Sequence, residues 1–184
     1  MPGAMRFPIA ALLAVTALAS PVRAAPGPAA TDSAITTVIV VRHAEKNPHP
    51  SGGDAGLNEA GNRRARELAE TLRDAGVRAI YASPFFRTRA TALPLAAALH
   101  DSVRVMGPDD AEGLARRVHA EHRGQTVLVV GHSDTVPVIL ETLLGRRLPA
   151  LGEIDYDRLF IVTLAPGRPA SLLALRYGEP VAAK

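Results

Sequence analysis

TTVIVVRHAEKN, residues 36–47, opens on six β-branched residues and ends in Arg42, His43, Glu45 and Lys46. The first half reads as a buried strand over 36–41. A sheet interior has no use for the second half, because burying charge without a partner is costly. The polar cluster therefore belongs at the mouth of the strand, where something uses it.

Outward from this stretch, β-branched runs alternate with helical patterns. The spacing predicts a helix over 58–75, a strand over 77–82, a helix over 84–99, a strand over 103–105, a helix over 110–122, a strand over 126–130 and a helix over 135–144. Ala65, Leu68, Ala69, Leu72 and Ala75 form one apolar stripe on the first helix, with Asn58 as its cap and Gly76 as its stop. RLFIVTL and SLLALRY flank APGRPA and read as a closing hairpin. The expected fold is α/β with three αβα layers and a mostly parallel central sheet carrying an antiparallel edge. Pro94 lies too deep in its helix for the first-turn exemption and predicts a kink or break.

The chain has 184 residues, 47% of them hydrophobic and 21% charged, which suits one globular domain. Arg6, the apolar PIAALLAVTALAS and the small residues after it read as a secretory signal peptide over 1–24. Cleavage after Ala19 competes with cleavage after Ala24, the preferred site. The alternative is an uncleaved anchor, although the apolar stretch is short of the roughly 20 residues a membrane span needs. APGPAATDSA, residues 25–34, reads as a flexible leader, and the domain covers 35–184. The reading is thus a periplasmic or secreted protein with no stable membrane span. Removing 1–24 takes away Arg6 and Arg23 and no acid, so 19 basic residues face 18 acidic ones and the net charge becomes +1. Such a balance gives little support to a nucleic-acid partner. With no cysteine, the chain has neither disulfides nor a thiolate nucleophile.

Three strand ends line up. TTVIVV runs into Arg42 and His43, VRAIYA into SPFFRTRATA, and TVLVV into GHSDTVP. In open α/β sheets ligands sit beyond the carboxyl ends of the strands, so the three loops are expected to share a crevice. Ser83 and Pro84 read as a cap and a first helical residue, which puts Arg87 in the first turn. Pro137 must also fall in a first turn, so Ser133 or Asp134 caps that helix and His132 sits just ahead of it. Both helices would aim free N–H groups at the crevice. Two arginines, two histidines and two helix N-termini suit a doubly charged tetrahedral anion, for which phosphate is the natural candidate.

RHAEK, SPFFRT and GHS, in this order at strand ends, resemble the histidine phosphatase superfamily, whose fold is named for phosphoglycerate mutase. The resemblance covers residues 36 to about 177. It implies that His43 is the nucleophile that takes the phosphoryl group, with Arg42, Arg87 and His132 holding the phosphoryl oxygens. The pattern is similar to exported bacterial members of the lipopolysaccharide-core heptose phosphatase type. It departs from them at Asp54, Ala55, Gly56, Leu57 and Asn58, where they often carry Asp-Pro-x-Leu-Thr, and at Asp134, where they carry asparagine. An attacking imidazole must be neutral, and a cation about 4 Å away disfavours its protonation by up to about 4 kcal/mol at an effective dielectric near 20. No metal or other cofactor is expected, because the arginines and His132 offset the phosphate charge.

The expected activity is a metal-independent phosphomonoesterase acting on a small-molecule or glycolipid phosphomonoester. The alternatives are a non-catalytic sugar-phosphate binding protein and a phosphomutase, the latter disfavoured by the 44 residues between Arg87 and His132. A zinc site from His43, His49 and His132 fits no metal spacing. The proton donor to the leaving group is open among Asp134, Glu45, Asp109, Asp110 and Glu112. Asp134 is in the catalytic set as the acid, with a capping role as its alternative. Glu45 is expected to orient Arg42 or a neighbouring loop, or simply to be solvated. Lys46 is placed at the rim, RRAR at 63–66 on a solvated face, and His49, His100, His119 and His122 on the surface.

Overall fold

The computed structural model describes residues 34–48 and 54–181. The expected signal peptide, all of the leader but Ala34, and His49 lie outside them. Ten elements follow in the expected order: β1 (Thr36–Arg42), α1 (Glu59–Leu72), β2 (Val77–Ala82), α2 (Phe86–Ala98), β3 (Val103–Val105), α3 (Ala111–Glu121), β4 (Thr126–Gly131), α4 (Thr135–Leu144), β5 (Arg158–Leu164) and β6 (Ser171–Arg176). The strands form one sheet in the order β3-β2-β4-β1-β5-β6. The first four are mutually parallel, and β5 and β6 add the antiparallel edge.

The period-2 alternation of the strands builds two cores. Val38 and Val40 of β1 and Val127 and Val129 of β4 pack with Leu114 and Val118 of α3 and Ile139 and Leu140 of α4. The intervening Ile39, Val41, Leu128 and Val130 pack with Leu68 and Leu72 of α1 and Leu95 of α2. With both faces covered, the ends of β1 and β4 are where polar side chains can converge. Asn58 caps α1 by accepting from the Gly61 N–H at 2.9 Å. Gly61 is needed there: a Cβ at this position would collide with the Glu45 carbonyl oxygen. No helix among the described residues is long and apolar enough to cross a membrane.

Four expectations need correction. α1 ends at Leu72, and the chain turns through Arg73 before Gly76 takes its positive φ of 67°. α2 runs unbroken through Pro94. Arg64 is not on a solvated face: it is buried and its guanidinium grips the Glu45 carboxylate at 2.8 and 2.9 Å and the carbonyls of Tyr177 and Glu179 at 3.1 and 3.0 Å. Glu45 is thereby committed to Arg64 and not to Arg42. His122 is buried too, between the Tyr81 hydroxyl at 2.8 Å and the Gln125 side-chain oxygen at 3.0 Å. His100 and His119 are exposed, as expected.

Candidate active site

β1 delivers Arg42 as its last residue and His43 as the next, and the His43 N–H donates to the Gly131 carbonyl at the end of β4 at 2.9 Å. The two strand ends are thus stitched side by side. Arg42, His43, Lys46, Phe85, Arg87, Asp109, His132 and Asp134 are among the residues lining one cavity of about 400 Å³, a size suited to a small ligand. The sequence-predicted set of Arg42, His43, Arg87, His132 and Asp134 is therefore brought together, and Lys46 is at its rim.

His43 is buried, and its Nδ1 donates to its neighbour's carbonyl, that of Ala44, at 2.7 Å. This fixes the tautomer and leaves Nε2 with its lone pair. Burial holds the imidazole pKa down to about 3, helped by the charges of Arg42, His132 and Arg87 and opposed by the Ala44 carbonyl. His132, 5.4 Å away between ring centroids, is also lowered, first by burial and then by Arg87 and Arg42, with Asp134 and Asp54 opposing.

The arginines are held without being neutralised. Arg42 donates through Nη1 to the carbonyls of Gly152 and Glu153 at 3.0 and 2.8 Å, and its guanidinium lies 4.1 Å from the centre of the Tyr156 ring. Arg87 stacks 4.5 Å from the Phe85 ring centre, donates to His132 Nδ1 at 3.3 Å, and has the Asp54 carboxylate at 3.5 Å. The buried Nε atoms of both have no hydrogen-bond partner among the described residues. Two buried guanidinium donors beside a neutral imidazole provide what an anion with several oxygens requires.

Ser83 is not the cap of α2. The helix starts at Phe86, with Phe85 in extended backbone at the cap position and no side-chain bond of its own. Ser83 is drawn away because its hydroxyl bonds His132 Nε2 and the Thr88 hydroxyl, each at 2.8 Å. The first amide of α2, Phe86 N–H, is met instead by the Asp54 carboxylate at 2.6 Å. At α4, Asp134 is the cap and accepts from the Thr135 N–H at 3.0 Å. The leading amides of both helices are therefore already satisfied by carboxylates, and anion binding falls to the arginines and histidines.

Among the expected acids, Asp110 caps α3 and Glu112 pairs with Arg116 on the surface. With Glu45 taken by Arg64, Asp109 and Asp134 are the two carboxylates on the cavity wall. Asp54, Phe85, Tyr156 and the threonines of α2 went unread as site residues. Asp54, Tyr156 and Thr91 have partners dozens of residues away or more, whereas Phe85 beside Arg87 and Thr88 beside Ser83 and Phe85 left local traces. Among the described residues no group of three or more His, Cys, Asp or Glu side chains is arranged to hold a metal ion.

Residues 38–107 match the model of the histidine phosphatase superfamily (branch 1). No curated protein matches the chain. Solved structures do. The protein histidine phosphatase SixA complexed with tungstate aligns with a TM-score of 0.64 and 20% identity over 76% of this chain and 96% of that one. A mycobacterial glucosyl-3-phosphoglycerate phosphatase aligns at 0.57 and 18%, over 70% and 90%. A variant phosphoserine phosphatase from Entamoeba histolytica, in complex with phosphoserine, aligns at 0.58 and 15%, over 77% and 96%. From β1 to β3 the chain thus matches the histidine phosphatase superfamily model, and its six-stranded sheet has the fold of these phosphatases, which together support a phosphatase.

Proposed function

We propose that this protein is an exported phosphomonoesterase that works without a metal ion, through a phosphohistidine at His43, on a sugar or envelope phosphate of the kind carried by lipopolysaccharide-core heptose. The observation that carries the chemistry is the Nδ1 bond of His43 to Ala44, which leaves a neutral Nε2 in a cavity whose two arginines have no full ionic partner. In the first step the Nε2 lone pair attacks phosphorus, the N–P bond forms, the ester P–O bond breaks, and a protonated carboxyl gives its proton to the leaving alkoxide. In the second a water attacks phosphorus, returns a proton to that carboxylate, and frees phosphate from the imidazole. Arg42, Arg87 and His132 stabilise the charge that spreads over the phosphoryl oxygens. Asp134 is the proposed acid and Asp109 the other wall carboxylate able to serve.

The neighbours named above act on phosphorylated proteins, a sugar phosphoglycerate and phosphoserine, so the substrate has to be argued from this chain's own cavity. Its walls grip the phosphoryl group on several sides, whereas Phe85, 38% exposed, offers only apolar surface to what the phosphate is attached to. This supports bulky sugar or glycolipid esters with weak discrimination among small ones. Export is supported by the signal-like N-terminus. The test is release of phosphate from 4-nitrophenyl phosphate and from sugar phosphates, with and without a chelator, combined with rapid quenching. Turnover unchanged by chelator and an acid-labile, base-stable phosphate on His43 are expected. Loss of activity with chelator, or a phosphate trapped on another residue, overturns the mechanism.

A further inference from the structure

The two site histidines hold opposite tautomers, and helix α2 is the common cause. An arginine N–H can only donate, so the Arg87 contact makes His132 Nδ1 an acceptor and puts the ring proton on Nε2. That proton goes to Ser83 Oγ. Ser83 must then donate to Thr88 Oγ1, whose own hydrogen is directed to the carbonyls of Phe85 at 2.7 Å and Ser83 at 3.0 Å. The chain of donors has a single direction because it starts on a guanidinium and ends on carbonyls. One turn further along, Thr91 Oγ1 donates to the Arg87 carbonyl at 2.8 Å and accepts from the Ala44 N–H at 2.9 Å. Ala44 is the residue whose carbonyl orients His43. Ser83, Thr88 and Thr91 are all buried, the two threonines completely.

We propose that Thr88 and Thr91 are positioning residues for the reaction: Thr88, through Ser83, locks His132 with its proton on Nε2, and Thr91, through Ala44, holds the peptide that presents His43 Nε2. Arg87, Thr88 and Thr91 sit at one end of α2, so a single rigid element places the phosphate-binding arginine and both histidines. The consequence for His132 is that Nδ1 alone exchanges protons with the cavity. A water-facing threonine would be dispensable, whereas these two spend every hydrogen-bonding capacity the site needs.

The inference rests on the proposed role of His43 for its kinetic consequence, but its structural arm is read without substrate. In the full chain labelled with 15N-histidine, the unprotonated nitrogens of the wild type should be His43 Nε2 and His132 Nδ1. Thr88→Val keeps the shape and removes the hydroxyl, so Ser83 turns its proton toward His132 Nε2 and a substantial fraction of His132 should change tautomer. Thr91→Val should lower kcat for 4-nitrophenyl phosphate about tenfold or more, with KM changed far less, because a misplaced nucleophile slows the chemical step. Thr88→Ser and Thr91→Ser should restore the wild-type tautomers and rates. An unchanged His132 tautomer in Thr88→Val, wild-type kcat in Thr91→Val, or serine variants as impaired as the valine ones would overturn it. Should Thr88→Val not fold, Thr88→Ala removes the same hydroxyl, frees Ser83 to donate to His132 Nε2 and must also shift the tautomer. A wild type with the stated tautomers and no phosphatase activity would sink the proposed function and leave this structural arm standing.

Discussion

Two clusters of charge, each centred on a buried arginine, flank the loop after β1, and they are built in opposite ways. In one, Arg64 grips Glu45 with two nitrogens and Asp157, nearly fully buried, takes Arg176 at 2.6 Å. Every charge there meets its counter-charge within the chain. In the other, Arg42 is as buried as Arg64 yet meets only carbonyls and an aromatic face, and Arg87 meets a carboxylate at 3.5 Å. A buried cation without a full partner is expensive to keep. The difference separates a structural cluster, already neutral, from a functional one that an anion would complete.

The sharpest attack on this contrast is His43→Ala, which should abolish turnover and any phosphoenzyme, because the other cavity imidazole, His132, has its Nδ1 lone pair engaged by Arg87. Measurable residual activity on an aryl phosphate would move the nucleophile elsewhere. Next in size is Arg64→Met, which should strand the half-buried Glu45 carboxylate and cost about 2–3 kcal/mol of unfolding free energy, below the range for a fully buried pair. Adding Glu45→Gln should recover much of that loss in urea melts; no recovery would deny that the pair is self-contained. Arg87→Lys keeps the charge and loses the planar fork, so kcat/KM for 4-nitrophenyl phosphate should fall about 10- to 100-fold with stability nearly unchanged. Wild-type kinetics would remove Arg87 from the site.

The pH dependence of stability extends the comparison. His43 has its folded pKa depressed to about 3 and His132 is depressed as well, so the unfolded chain binds more protons than the fold between the ordinary histidine value and those lower ones. Stability from these groups is complete above pH 6.5 and is lost as pH falls through that window. A histidine that stays neutral costs about 2 kcal/mol at pH 5. Urea melts at pH 7 and 5 should show the loss, and His43→Gln should remove part of it; equal pH sensitivity in the variant would refute the assignment.

Sequence made the strands, the helices and the Arg42, His43, Arg87 and His132 quartet legible because each follows from a local period and one rule about strand ends. Arg64 had a signal too. It shares the stripe of Gly61, Ala65 and Leu68, the inward face of α1, and its charge disguised that phase. The bonds from Arg42 to Gly152 and from Arg64 to Tyr177 span 110 and 113 residues and leave no local trace. Ser83 was misread because Ser-Pro before a helix is a strong capping pattern, whereas a histidine 49 residues away claimed the hydroxyl. Tertiary partners overrode a correct local rule.

The smallest effect, measured on an aryl ester, belongs to Asp134→Asn. Asparagine caps a helix about as well as aspartate, so stability should move by only a few tenths of a kcal/mol, roughly the spread between good caps. An aryl leaving group departs without a proton, and its hydrolysis should stay near the wild-type rate. An alkyl phosphate cannot depart that way, and if Asp134 is the acid its hydrolysis should slow far more, since a positioned general acid is worth about 10²-fold or more. The two carboxylates on the wall then divide the outcomes. Slowing confined to alkyl esters assigns the proton to Asp134. Equal effects of the substitution on both ester classes end that role and pass it to Asp109, whose substitution by asparagine must then slow the alkyl esters alone.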